Sequence, residues 1–83
     1  MSMMKTVIEL TASARRKADT AGLGDRLAAL AIGQWARKGD FVELAGAGEP
    51  VIFIIRARRI RVAADGGQTL VFELDHPPRP ALR

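Results

Sequence analysis

Cysteine is absent from this sequence, so neither a disulfide framework nor a thiolate metal site can brace the fold, and thiol redox chemistry is excluded. Tyrosine is absent too, and histidine occurs once, as His76, beside a proline-rich end. None of the few remaining acid–base groups lies in a nucleophile or metal motif, so the reading is of a protein that is not an enzyme. One His with scattered carboxylates makes a poor transition-metal site, and no cofactor is expected. Long hydrophobic runs are missing as well. No stretch approaches the roughly 18 apolar residues of a membrane span, and Met1-Ser-Met-Met-Lys5 carries no apolar leader segment. The expectation is a cytoplasmic protein with no membrane partner.

What is present fits one small domain. The 83 residues have room for a single hydrophobic core. The spacing of elements assigns residues 1–75 to an α+β domain and residues 76–83 to a proline-rich flexible tail, with Pro77 to Pro80 formally matching PxxP. Thirteen Lys and Arg against nine Asp and Glu give a net charge of +4, a balance that suits nucleic acid or an acidic protein surface. Richness in Ala, Gly and Arg has the look of a bacterial genome of high GC content.

Residues 5–10, with β-branched Thr6, Val7 and Ile8, suit a strand. Residues 11–20 hold no large apolar side chain and read as a mobile loop or an exposed helical turn. Asp25 then stands as an N-cap for a helix over residues 26–37, closed by Arg37, Lys38 and Gly39. Leu27, Leu30, Ala31, Gln34 and Trp35 fall on one face of that helix, the side expected to pack on the sheet. Its back face, Ala29, Gly33 and Ala36, is small enough for a second copy to approach, although alanine is also simply a good helix former. Residues 41–44 read as a second strand, and the turn-forming run 45–50 leads into the rest of a sheet of about four strands, ordered β-α-β-β-β.

The end of the domain reads as a long β-hairpin, with arms over residues 51–64 and 70–74 around Asp65-Gly66-Gly67. Val51, Phe53, Ile55 and Ala57 alternate in one phase and Ile60, Val62 and Ala64 in the other, so a β-bulge is expected at Arg58-Arg59. A three-residue loop would set Val62 opposite Leu70 and Ile60 opposite Phe72. On the outer face Arg59 would then meet Glu73, and Arg56 would meet Asp75.

Arg56, Arg58, Arg59 and Arg61 are the strongest functional feature, because a twisted ribbon of outward guanidinium groups can follow a phosphate backbone. The same residues also fit an ordinary cross-strand ladder on a solvated face. Arg15, Arg16 and Lys17 would add to the same field if their segment folds toward the ribbon. Gly22-Leu-Gly24 and Gly46-Ala-Gly48 lack the third glycine or the Gly-Lys-Ser/Thr ending that lets a loop cradle phosphate.

Four stretches taken together resemble the later two-thirds of the bacterial single-stranded-DNA-binding proteins. They are Val7-Ile-Glu-Leu-Thr-Ala-Ser, Leu27-Ala-Ala-Leu-Ala with Arg37-Lys-Gly-Asp, Phe41-Val-Glu-Leu-Ala-Gly, and Arg56-Ala-Arg through Asp65-Gly-Gly-Gln. The resemblance implies an OB-like fold and places the hairpin arginines on strands that approach DNA. It also implies bases stacked on aromatic side chains, whereas Trp35, Phe53 and Phe72, three of the four aromatics, fall on expected core faces. The sequence thus frames two functions. One is a basic module binding nucleic acid through the hairpin. The other is a protein-interaction or assembly subunit, of phage or mobile-element origin, associating through the helix back face or a sheet edge.

Overall fold

The computed structural model describes residues 5–45 and 48–77, in which the elements run β1 (Lys5–Leu10), α1 (Ala12–Ala21), α2 (Gly24–Ala28), β2 (Phe41–Leu44), β3 (Val51–Val62) and β4 (Gln68–Asp75). The domain is α+β, and its four strands form one sheet in the order β1-β4-β3-β2. β3 and β4 make the expected long hairpin, and β2 joins β3 antiparallel. β1 lies parallel to β4, which makes the sheet mixed. The proline-rich segment 78–83 and the Met1-Ser-Met-Met start lie outside the described residues.

The helical part departs from the sequence reading. The segment read over residues 11–20 as a mobile loop or an exposed helical turn is a full helix over residues 12–21, the longest of the described chain. Thr11 caps it, its side chain accepting from the Ala14 N–H, and Gly22 at φ 71° ends it with an N–H turned back to Ala18 and Asp19. Four alanines make helix cheap here, and two of them, Ala14 and Ala18, are buried in the core one turn apart. A helix that lies close on a sheet needs no large side chain to hold it.

The expected helix over residues 26–37 is instead the five-residue α2, ending at Ala28. Both Leu27 and Ala36 are buried in the same core. In a continuous helix, nine residues at about 100° each would set them roughly 180° apart, so the chain unwinds to bury both. The proposed helical back face therefore does not exist: Ala36 is buried, and Ala29 is only the C-cap residue of α2. At Gly33 an added Cβ would fall on the Trp35 indole.

The hairpin bulge is present but sits at Arg56, between the pairs Ile55–Leu74 and Ala57–Glu73, and not at Arg58-Arg59. The loop spans residues 63–67, so that Val62 pairs with Gln68 and Ile60 with Leu70, two residues from the expected register. Asp65 accepts from the Gly67 N–H, and Gly66 at φ 91° makes the turn. Phe53, Ile55, Leu70, Phe72 and Leu74 build the core with Leu23 and Leu27. Both helices pack on β1, and α1 also reaches β4. Ile32 and Ala36 from the irregular segment before β2 join the same core.

Candidate functional site

Register decides where the hairpin arginines point. Arg58 pairs with buried Phe72, so it shares the helix-bearing face with Ile60 and Val62. Arg59 pairs with Val71 and Arg61 with Thr69, which turns both to the opposite face. The four arginines therefore form no single stripe.

On the outer face, Arg59 and Arg61 reach across β4 to β1, where their guanidinium groups donate to the two oxygens of Glu9 at 2.6 and 2.8 Å. The bond from Arg61 first, and then that from Arg59, lowers the Glu9 carboxyl below the usual carboxylate range. Val71 is fully buried on this helix-free face, beneath the level at which the two side chains cross. Arg56, the bulge residue, lies 4.0 Å from Glu73. The cross-strand pairs expected for Arg59 with Glu73 and for Arg56 with Asp75 give way to these because of the two-residue register difference. Asp75 instead accepts from Thr11 and Ser13 at 2.6 and 3.0 Å, tying the start of α1 to the end of β4. The Thr11 hydroxyl is the main cause of its lowered pKa.

Arg58 alone of the four has no carboxylate partner among the described residues. Its guanidinium donates to the Gln34 carbonyl at 3.1 Å, beside Trp35. The indole, expected in the core, is 80% exposed, and Phe41 is 58% exposed. Gln34, Trp35, Ala36, Arg37 and Arg58 line a cleft of about 360 Å³ with no acidic side chain in its walls. Asp40 is the nearest carboxylate in sequence, and it accepts from the Arg37 backbone N–H at 2.9 Å. On its other flank Trp35 borders a largely apolar groove of about 600 Å³, with Ile32, Asp40, Phe41, Val42 and Ile55 in its walls.

Arg15 and Arg16 are exposed on α1 and Lys17 is half-buried there. Ser13, Arg16, Lys17 and Thr20, one helix face, border a depression of about 310 Å³ with His76 and Pro77. His76 is no solvated tail residue: it is half-buried, with its ring 5.5 Å from that of Phe53. Burial first, and then the Lys17 cation, lowers its pKa. Among the described residues no three His, Asp or Glu side chains converge as metal ligands do, and no helix is long and apolar enough to cross a membrane.

Sequence reasoning missed Trp35 and Arg37 as site residues, because a continuous helix would have turned the indole inward. The signal available was Gly33, a poor helix residue two positions before the tryptophan. No protein-family model, curated protein or solved structure matches this chain.

Proposed function

We propose that this domain is a small non-enzymatic module that binds single-stranded nucleic acid, with a base laid on Trp35 and the flanking phosphates met by Arg37 and Arg58. The observation that carries the reading is an exposed indole in a cleft that Arg37 and Arg58 also line and that has no acidic wall. An indole face accepts any unstacked base, and guanidinium groups recognise phosphate oxygens in bidentate fashion. A base within a duplex offers no free face, so a single strand is the preferred form. Arg15, Arg16 and Lys17 on α1, with the net charge of +4, add long-range attraction. The resemblance to single-stranded-DNA-binding proteins supports the same class of ligand, although the cleft draws on only Arg58 of the hairpin arginines.

Trp35 is the only tryptophan, so its fluorescence reports on this cleft directly. Oligo(dT) or oligo(rU) at low salt should quench it, with duplex DNA much weaker. Trp35→Ala should reduce affinity by about 5- to 150-fold, the equivalent of 1–3 kcal/mol for one stacked base. Unchanged fluorescence at saturating oligonucleotide, with no retention of the protein on single strands, rejects the reading.

The second reading, a protein-interaction or assembly subunit, is favoured by two specific observations. Arg56, Arg59 and Arg61 already lie against carboxylates, and the groove beside Trp35 is apolar. Under it, Trp35→Ala weakens association with protein and leaves any oligonucleotide retention at the wild-type level.

A further inference from the structure

We infer that the open edge of β2 pairs with the β2 of a second copy, across a two-fold axis at Val42, to give an eight-stranded sheet. The inference stands apart from the nucleic-acid reading. β2 ends the sheet, and β3 covers only one of its sides. Ile55 donates to Asp40 and accepts from Gly39, so the C=O of Asp40, and by alternation the N–H and C=O groups of Val42 and Leu44, turn toward β3. Phe41 and Glu43 then turn their backbone N–H and C=O groups outward, and among the described residues nothing meets them.

A second copy fits this edge in one register. A two-fold axis normal to the sheet preserves its faces, so a residue must pair with one of its own face. An axis at Glu43 sets two carboxylates directly opposite each other, which is unfavourable. An axis at Phe41 brings Glu43 opposite Gly39, which already donates to Ile55 and so has no N–H to give. An axis at Val42 pairs Phe41 with the second copy's Glu43 and Glu43 with its Phe41. All the outward groups are then satisfied by four backbone hydrogen bonds, with no like charges opposed.

The side chains support the same occupant. Phe41, Ile52 and Ile54 share the outer face at this edge, and Phe41 and Ile52 are exposed there. Across the axis the two patches adjoin, with each Glu43, which shares this face, set beside the Phe41 of the other copy, as a symmetric interface allows. On the other face the two apolar grooves beside Trp35, each bordered by Val42, come to lie on the same side of the joined sheet. β2 is only four residues long and carries Glu43, features that weaken an edge, so the dimer should be reversible.

The test uses the full chain, which has no native cysteine. Sedimentation equilibrium from low to high micromolar protein should show the average mass rising from monomer toward dimer. Val42→Cys should form a symmetric disulfide under mild oxidation, because residues facing each other at such a non-hydrogen-bonded pair have Cα atoms about 4.5 Å apart. Val62→Cys, on the exposed hairpin tip, is the control and should cross-link far more slowly. Glu43→Pro removes one outward N–H and should abolish the mass increase while circular dichroism stays native. A strict monomer at every concentration, or Val42→Cys cross-linking no faster than Val62→Cys, overturns the dimer.

Discussion

Three ionisable residues tie the stability of this domain to pH in the same direction. Glu9 and Asp75 have lowered pKa values, the first through Arg61 and Arg59, the second chiefly through the Thr11 hydroxyl. Each contributes stability above its unfolded pKa and loses it as pH falls through the folded one. His76 is also lowered, by burial and then by Lys17, so the fold favours its neutral form. Its contribution is present above the ordinary imidazole value of about 6.5 and is lost as pH falls below it. Melting temperature should therefore fall from neutral pH downward, first as His76 protonates and then as the carboxylates do. Thermal melts of the wild type and of His76→Gln check this. The variant should lose the upper step, and a melting temperature constant from neutral to strongly acid pH contradicts the assignment. These partners were hidden from the sequence, because Thr11 and Asp75 lie 64 positions apart and meet only when α1 starts against the end of β4.

At the scale of elements, the hydrophobic alternation of β3 shows that its phase must change, and the sheet contains the bulge that changes it. The alternation did not locate it, because Ala57 is small enough for either face. Placing the extra residue at Arg56 sends Ala57 outward and Arg58 inward beside Ile60, and this brings Arg58 to the indole. Deleting Arg56 should be tolerated, since Ile55 would then directly precede Ala57, and the pairs Ile55–Leu74 and Ala57–Glu73 would keep Phe53 and Ile55 in the core without a bulge. Were another residue the extra one, the deletion would turn Phe53 and Ile55 out of the core, at about 3–5 kcal/mol for each large side chain, and no cooperative melt would remain. Arg56→Ala removes only a long surface contact and should cost within about 1 kcal/mol. Urea unfolding of the two variants checks this, and loss of the cooperative transition in the deletion variant would contradict the assigned bulge. The helices were the less legible elements. Thr11, four alanines and Gly22 spell out a complete helix with its caps, yet a rule that looks for large apolar residues passes over it.

For the molecule as a whole, the charge is less available than its total implies. Glu9 holds two arginines, so of a net +4 the cations free to meet a phosphate are fewer than the hairpin sequence promises. With Arg37 and Arg58 as the two phosphate contacts, log K should fall with log salt at a slope of roughly −1.4 for a single strand. Glu9→Gln releases Arg59 and Arg61 at a stability cost within about 1 kcal/mol, the range of surface pairs. It should raise affinity and steepen that slope, both read from Trp35 fluorescence across a salt series. An affinity that is independent of salt contradicts phosphate contact at the cleft.

The sequence by itself determined the fold class: an α+β arrangement of about four strands with a long hairpin that carries four arginines. These follow from local information, namely strand-like composition, turn residues and periodicity, each confined to neighbours along the chain. Only the tertiary structure decided which arginines are neutralised and that Trp35 stands exposed. Those outcomes depend on strand register and on the geometric conflict between burying Leu27 and Ala36, which arises only when distant segments share one core.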